Sequence, residues 1–173
     1  MKRFVLSALF IGFILTGWSQ YSLIATTYSQ DFTGLGTVDS SPAGGDLNIV
    51  SSTLDGWFFL ELLANQNTTI TVGTGSSATG DTYNFGLASN ADRKLGGLQS
   101  GMLNPTIGFY FTNNTGNPIT SLAITYTGET WRIGTTNRID RLDFQYSTDA
   151  ISLNTGSWSD FNALDYENPG QAT

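Results

Sequence analysis

The 173-residue chain contains no cysteine and no histidine, and charged residues make up only 12% of it. Without these two residue types it can form no disulfide bond, cysteine nucleophile, Cys/His zinc site or Ser-His-Asp triad. No cysteine follows the N-terminal apolar run either, which excludes lipid attachment at that point. We therefore expect the fold to be held together by its apolar core alone.

Positive charge is scarce as well. Seven Lys and Arg stand against fourteen Asp and Glu, which gives a net charge of −7. Lys2 and Arg3 both lie at the N-terminus, so a chain without them carries five basic and fourteen acidic residues, or −9. The electrostatic field of a chain with this negative charge repels nucleic-acid phosphates and anionic membranes. We expect no nucleic-acid partner.

The first 19 residues have the three-part pattern of a secretory signal peptide. Met1-Lys2-Arg3 is basic, residues 4–15 are apolar, and small residues follow at Gly17 and Ser19. The apolar run is too short to span a bilayer comfortably, which disfavours the alternative of a membrane anchor. The sequence therefore predicts cleavage after Ser19 and a secreted or extracytoplasmic protein without membrane insertion.

Residues 20–173 are predicted to form a single all-β domain, an antiparallel β-sandwich of the jelly-roll kind. Large apolar side chains recur at every second position, which is typical of strands with one buried face. Gly-, Asn- and Pro-containing turns separate these segments. The alternating sets are Ile107, Phe109 and Phe111; Leu122, Ile124 and Tyr126; and Leu142, Phe144 and Tyr146.

Further strands are predicted from apolar runs and β-branched residues. They cover residues 28–32 at an edge, 47–50, 57–63 at the centre, 69–72, 82–85 and 133–139. The run at residues 57–63 also permits a short helix. Residues 165–173 are polar and turn-like, so we expect the sandwich to lack its last strands at the C-terminus.

Four stretches together resemble a β-domain of secreted bacterial proteins. They are GDTYNFG at residues 80–86, DRKLGGLQSG at 92–101, YTGETWR at 126–132 and RLDFQYS at 141–147. Proteins with this domain often carry C-terminal sorting signals, or join it to extracellular nuclease or lamin-tail-like modules. The resemblance covers about residues 28–166 and implies a secreted β-sandwich, but no activity.

The strongest candidate for a ligand site is Glu129, Trp131 and Arg132. A tryptophan can stack on a sugar ring while the carboxylate and guanidinium bond its hydroxyl groups. The alternative is a structural network of ion pairs across strands, because Arg141 and Asp143 follow nearby with strand spacing.

Two other kinds of site are weighed. Glu61 and Glu129 are candidates for the carboxylate pair of a glycoside hydrolase. Asp81, Asn84 and Asp92 flank turns and offer oxygen ligands for Ca²⁺, although such side chains commonly bond their own backbone. We expect no catalytic residue and no required cofactor or metal.

The function predicted from the sequence is that of a secreted, non-catalytic module that binds or adheres to a polysaccharide or another cell-surface partner. A lectin-fold glycoside hydrolase is the first alternative. The second is a spacer without a ligand, whose sign would be an unpaired apolar sheet edge.

Overall fold

The computed structural model describes residues 20–135 and 137–169. The predicted signal peptide, residues 1–19, lies outside the described residues. These described residues include eleven strands, in chain order: β1 Tyr21–Leu23, β2 Trp57–Leu62, β3 Ile70–Gly73, β4 Asp81–Phe85, β5 Lys94–Leu98, β6 Asn104–Phe109, β7 Phe111–Asn113, β8 Arg141–Leu142, β9 Gln145–Tyr146, β10 Ser159–Asp160 and β11 Tyr166–Glu167. The helical elements of the described residues are short 3-10 turns at Thr33–Leu35, Ala43–Gly45, Leu47–Ile49, Ser52–Leu54 and Asn162–Leu164.

The strands form small sheets of two or three strands. β3, β4 and β5 make one sheet with β4 in the middle, and β2 pairs with β6. β1 pairs with β7, β8 with β11, and β9 with β10. The pairs β1–β7 and β3–β4 are parallel, whereas the sequence favours antiparallel pairing throughout. The strand-rich composition is compatible with an all-β protein, and the jelly-roll sandwich remains a prediction.

The main core lies between β2, β3 and the irregular chain that precedes them. It contains Leu35, Leu47, Leu54, Phe59 and Ile70, all buried. All three leucines lie in 3-10 turns, so the irregular segment supplies much of the apolar surface that β2 covers. Burial of a leucine or phenylalanine side chain contributes about 1.5–3 kcal/mol, which makes this cluster the principal stabilising element.

The central strand β4 is covered on both faces. Thr82 and Asn84 face one side, where the Asn84 amide donates to the Gly36 carbonyl at 2.9 Å. Tyr83 and Phe85 face the other side, where the Tyr83 hydroxyl bonds Ser77 Oγ at 2.8 Å. All four are buried, because side chains alternate along a strand and each face has its own cover.

Two predicted strands are replaced by turns. Residues 28–32 are not paired, because the Gln30 side-chain oxygen accepts the Phe32 N–H at 2.8 Å and Asp31 accepts the Thr33 N–H at 3.0 Å. Residues 47–50 form a 3-10 turn in which Asp46 accepts the Asn48 N–H at 3.0 Å. These local side-chain bonds give the backbone an alternative to a sheet.

The predicted strands of the second half are also changed. Residues 122–126, 133–135 and 137–139 belong to no strand, and the segment 142–146 is split into β8 and β9. The split occurs because the Phe144 N–H donates to the Asp165 carboxylate at 2.8 Å, while its carbonyl accepts the Phe161 N–H at 2.9 Å. Leu142 and Tyr146 were predicted to be buried, but their side chains are 59% and 50% exposed.

The strand predicted at residues 57–63 is confirmed as β2, but its predicted central position is wrong, because β2 belongs to a sheet of two strands. β2 pairs along its whole length with β6, with Trp57 opposite Phe109 and Phe59 opposite Ile107. Strands at residues 69–72 and 82–85 are confirmed as β3 and β4, within one residue. The alternating set 107–111 is confirmed as β6 and β7, which are separated at Tyr110.

Candidate functional site

An aromatic face on β4 supports the candidate site. Tyr83 and Phe85 lie two residues apart on one face of the sheet and stack with ring centroids 5.0 Å apart. Their neighbours across the sheet on this face are Gly73 on β3, opposite Phe85, and Gly96 on β5, opposite Tyr83. A Cβ at Gly96 would lie 3.0 Å from the Phe85 ring. The glycines thus let the rings lie flat over the neighbouring strands.

Trp131 adds a third ring to this face. Its indole stacks on Phe85 with centroids 5.7 Å apart and planes 6° apart, and it is partly exposed. The chain approaches closely here, since a Cβ at Gly75 would lie 1.9 Å from the Trp131 carbonyl oxygen. Gly75 also has a φ of +84°, so only glycine fits this position easily. Gly75 therefore fixes the position of Trp131.

The structure brings Glu129 and Trp131 together, as the sequence predicts. The indole N–H of Trp131 donates to Glu129 Oε2 at 3.1 Å, and Glu129 is exposed. Side chains two residues apart on an extended chain point to the same side, which is why the local sequence suffices for this contact. The carboxylate thus lies at the rim of the indole ring.

A lysine and two aspartates that the sequence analysis did not assign to this site complete it. Lys94 lies directly opposite Phe85 in the sheet, so its side chain is on the same face as the Phe85 ring on which Trp131 stacks. Its ammonium bonds the Asp92 carboxylate. That bond, together with the charges of Asp92, Glu129 and Asp31, raises the pKa of Lys94. We call Asp31, Asp92, Lys94, Glu129 and Trp131 the Trp131 patch.

A depression of about 390 Å³ includes Asp31 of the patch. The five residues that line it all have polar side chains: Ser29, Gln30, Asp31, Thr33 and Thr53. The Thr33 backbone N–H and hydroxyl bond to Asp31 lower the pKa of this carboxyl, and Lys94 adds to the effect. Asp31 thus contributes its carboxylate to a depression that hydroxyl and amide side chains also line.

Arg132 faces away from the patch. Its guanidinium donates to the Ser76 carbonyl at 3.1 Å and reaches the Gly75 carbonyl at 3.5 Å. Since Trp131 and Arg132 are neighbours on an extended chain, they point to opposite sides. The predicted trio is thus separated: Glu129 and Trp131 form one surface, and Arg132 fastens the 75–76 loop. The predicted ion pair of Arg141 and Asp143 is present at 2.5 Å.

Glu61 is a buried structural carboxylate, only 3% exposed. It shares a face of β2 with the core residue Phe59, so the period of the strand turns it inward. Oε1 accepts the Thr82 N–H at 2.7 Å and Oε2 accepts the Asn67 N–H at 2.9 Å. Glu61 and Glu129 therefore occupy different environments, one engaged in the core and one exposed beside Trp131.

The three residues weighed for Ca²⁺ each have other partners. Asp81 accepts the Thr71 hydroxyl at 2.6 Å, and Asp92 bonds Lys94. Asn84 is buried and accepts the Arg93 Nε–H at 2.7 Å. Among residues 20–135 and 137–169, no group of three Asp or Glu side chains is arranged to hold a metal ion.

Arg93 is a buried cation that sequence reasoning did not identify. It is 1% exposed, and its guanidinium donates to the side chain and the carbonyl of Asn84. It also reaches the carbonyls of Leu87 and Asn90 at 3.4 Å. A Cβ at Gly86 would lie 2.3 Å from Arg93 Nη1, so the glycine makes room for the group. Arg93 thereby closes the β4–β5 loop.

Comparison with protein-family models, curated proteins and solved structures finds no match for this chain. Within the described part of the chain, no helix has the length and hydrophobicity needed to cross a membrane.

Proposed function

We propose that the chain is a secreted, non-catalytic binding module and that the Trp131 patch holds a neutral polysaccharide. The observation that carries the proposal is the indole of Trp131, which is stacked on Phe85, bonded to Glu129 and still partly exposed. A flat apolar ring with polar groups at its rim suits a sugar, which presents both C–H faces and hydroxyl groups.

The charges of the patch favour a neutral ligand. The charges of three carboxylates, those of Asp92, Glu129 and Asp31, act on the single ammonium of Lys94. The whole chain, with these groups included, carries −7. Uronate or sulfate groups would meet net negative charge, whereas the hydroxyl groups of a neutral glycan can donate to the carboxylates. We therefore expect glucans, mannans or xylans in preference to acidic polymers.

A non-catalytic role is supported by the position of Glu61. Retaining or inverting hydrolysis requires two carboxyl groups facing one cleft, about 5–9.5 Å apart. Both oxygens of Glu61 are already bonded to backbone N–H groups, those of Thr82 and Asn67, and Glu129 is bonded to an indole at the surface. The hydrolase alternative has no comparable supporting contact.

Affinity electrophoresis against matched neutral and acidic polysaccharides tests the proposal. We expect at least one neutral polymer to retard the protein, and carboxylated or sulfated forms of the same backbone to retard it less. Ca²⁺ should not be required. Equal retardation by neutral and acidic polymers would contradict the electrostatic argument. No retardation by any polymer would favour the spacer hypothesis, and release of reducing sugar would favour the hydrolase.

A further inference from the structure

One extended segment within residues 20–135 has a backbone that pairs with no other described residue. Residues 118–133 contain no turn or bend, so the backbone is extended there, and they belong to none of the strands. No backbone hydrogen bond joins residues 118–127 to any other described residue. The four large side chains, Ile119, Leu122, Ile124 and Tyr126, are 37–56% exposed. We call residues 118–127 the free strand.

The free strand is held at both ends but not between them. Before it, the Asn113 amide donates to the Asn117 carbonyl at 2.8 Å. Near its end, the Tyr126 hydroxyl bonds the Leu164 carbonyl, and Thr130 contacts the Tyr166 hydroxyl at 2.8 Å. The backbone between these anchors therefore presents N–H and C=O groups in an extended conformation, which is what a pairing strand needs.

The sequence lacks the features that usually protect such an edge. Residues 95–128 contain no Asp, Glu, Lys or Arg. Charged side chains, prolines or bulges normally prevent exposed edges from pairing. The free strand contains one proline, Pro118, which is its first residue. In a chain of net charge −7, a segment without charged side chains adds no repulsion of its own between two copies that meet along it.

We propose that the free strand pairs antiparallel with the free strand of a second copy of this chain, with Ile124 opposite Ile124. This register places Leu122 opposite Tyr126, so these residues and Ile124 lie on one face of the new ladder. Ile119, at an odd position, lies on the other face. Such a contact is two-fold symmetric and uses the same segment of both copies, as closed dimers do.

Single cysteines introduced into this cysteine-free chain test the register, with the full chain expressed and exported. In the proposed pair the Cα atoms of residue 124 lie about 4.5–5.5 Å apart, within disulfide range. Those of residue 122 lie about 13 Å apart, from four residues at about 3.3 Å each, and cannot bridge. We expect Ile124→Cys to form covalent dimers rapidly under mild oxidation, and Leu122→Cys and Ile151→Cys to remain monomeric.

Sedimentation gives an independent measurement. The wild-type protein should show a concentration-dependent monomer–dimer equilibrium, and Ile124→Lys should shift it to monomer while the circular dichroism spectrum is unchanged. Ile151→Lys, a change at another exposed isoleucine, should leave the dimer intact. The proposal is overturned by a wild-type monomer at all soluble concentrations, by open polymers, or by equal cross-linking of the three cysteine variants. A wild-type monomer would instead assign the free strand to a different chain.

Discussion

The indole of Trp131 lies flat on the ring of Phe85, with centroids 5.7 Å apart and planes 6° apart. The two residues are far apart in the sequence, and only the close approach of the chain at Gly75 lets the rings meet. This pair links the core strand β4 to the surface that we propose binds sugar.

Gly75→Ala should displace Trp131. The new Cβ would lie 1.9 Å from the Trp131 carbonyl oxygen, at a residue with φ of +84°. Gly44→Ala is the matched control, because Gly44 has φ of +65° and no atom within 4 Å of the added carbon. The positive φ should cost each variant about 1–2 kcal/mol of unfolding free energy. The clash should cost Gly75→Ala about 1–3 kcal/mol more, measured by urea titration. Equal losses of unfolding free energy in the two variants would mean that Gly75 and the Trp131 carbonyl are not in tight contact.

Arg93→Lys should destabilise the protein by about 2–4 kcal/mol. A lysine cannot reproduce the forked contacts to the Asn84 side chain and carbonyl, and it leaves a buried charge poorly bonded. Arg138→Lys is the control, since Arg138 is exposed and pairs with Asp140 at the surface. That change should have almost no effect on the unfolding midpoint. A comparably small effect at Arg93 would show that its burial contributes little.

Glu61→Gln separates a structural carboxylate from a catalytic one. The glutamine NH₂ would face a backbone N–H where Glu61 now accepts one from Thr82 or Asn67. We expect a loss of about 1–3 kcal/mol in unfolding free energy. Glu167→Gln, at an exposed site, should change it by less than about 0.5 kcal/mol. Unchanged stability together with loss of a hydrolytic activity would support the enzyme hypothesis instead.

Asp149 should contribute to the loss of folding stability at low pH. Its carboxylate accepts the Ser157 N–H and the Ser147 hydroxyl, both at 2.8 Å, and these bonds lower its pKa below 3.8. The folded state therefore binds this proton less readily than the unfolded state. The resulting stability is present above pH 3.8 and is lost as pH falls through the lower folded pKa. Melting temperatures of wild type and Asp149→Asn should differ at neutral pH and converge in acid. A constant difference would contradict the assignment.

The sequence predicts the first half of the fold better than the second. The strands of β2, β3, β4 and β6 follow from apolar runs and alternation, and their residues find partners within the described chain. Leu122, Ile124 and Tyr126 show the same alternation, yet they are exposed. Periodicity states which side chains share a face, but it does not state what covers that face.

The candidate site was predictable only where it is local. Glu129 and Trp131 meet because they are two residues apart on an extended chain. Lys94 and Asp31 join them through the register of β5 and the 3-10 turn at Thr33–Leu35, which are long-range features of the fold. The sequence did contain a signal for Lys94. It is one of only two lysines, and it lies in the motif at residues 92–101.

The central claim is tested most directly by titrating neutral polysaccharides into Trp131→Ala and Trp158→Ala and measuring their affinities by calorimetry. Both tryptophans are at least partly exposed, and Trp158 has its own hydrogen bond, to the Thr155 carbonyl at 2.8 Å. We expect Trp131→Ala to weaken binding about 30-fold or more, equivalent to about 2 kcal/mol, and Trp158→Ala to bind as wild type. Wild-type affinity in Trp131→Ala, or an equal loss in both variants, would contradict a sugar site at Trp131.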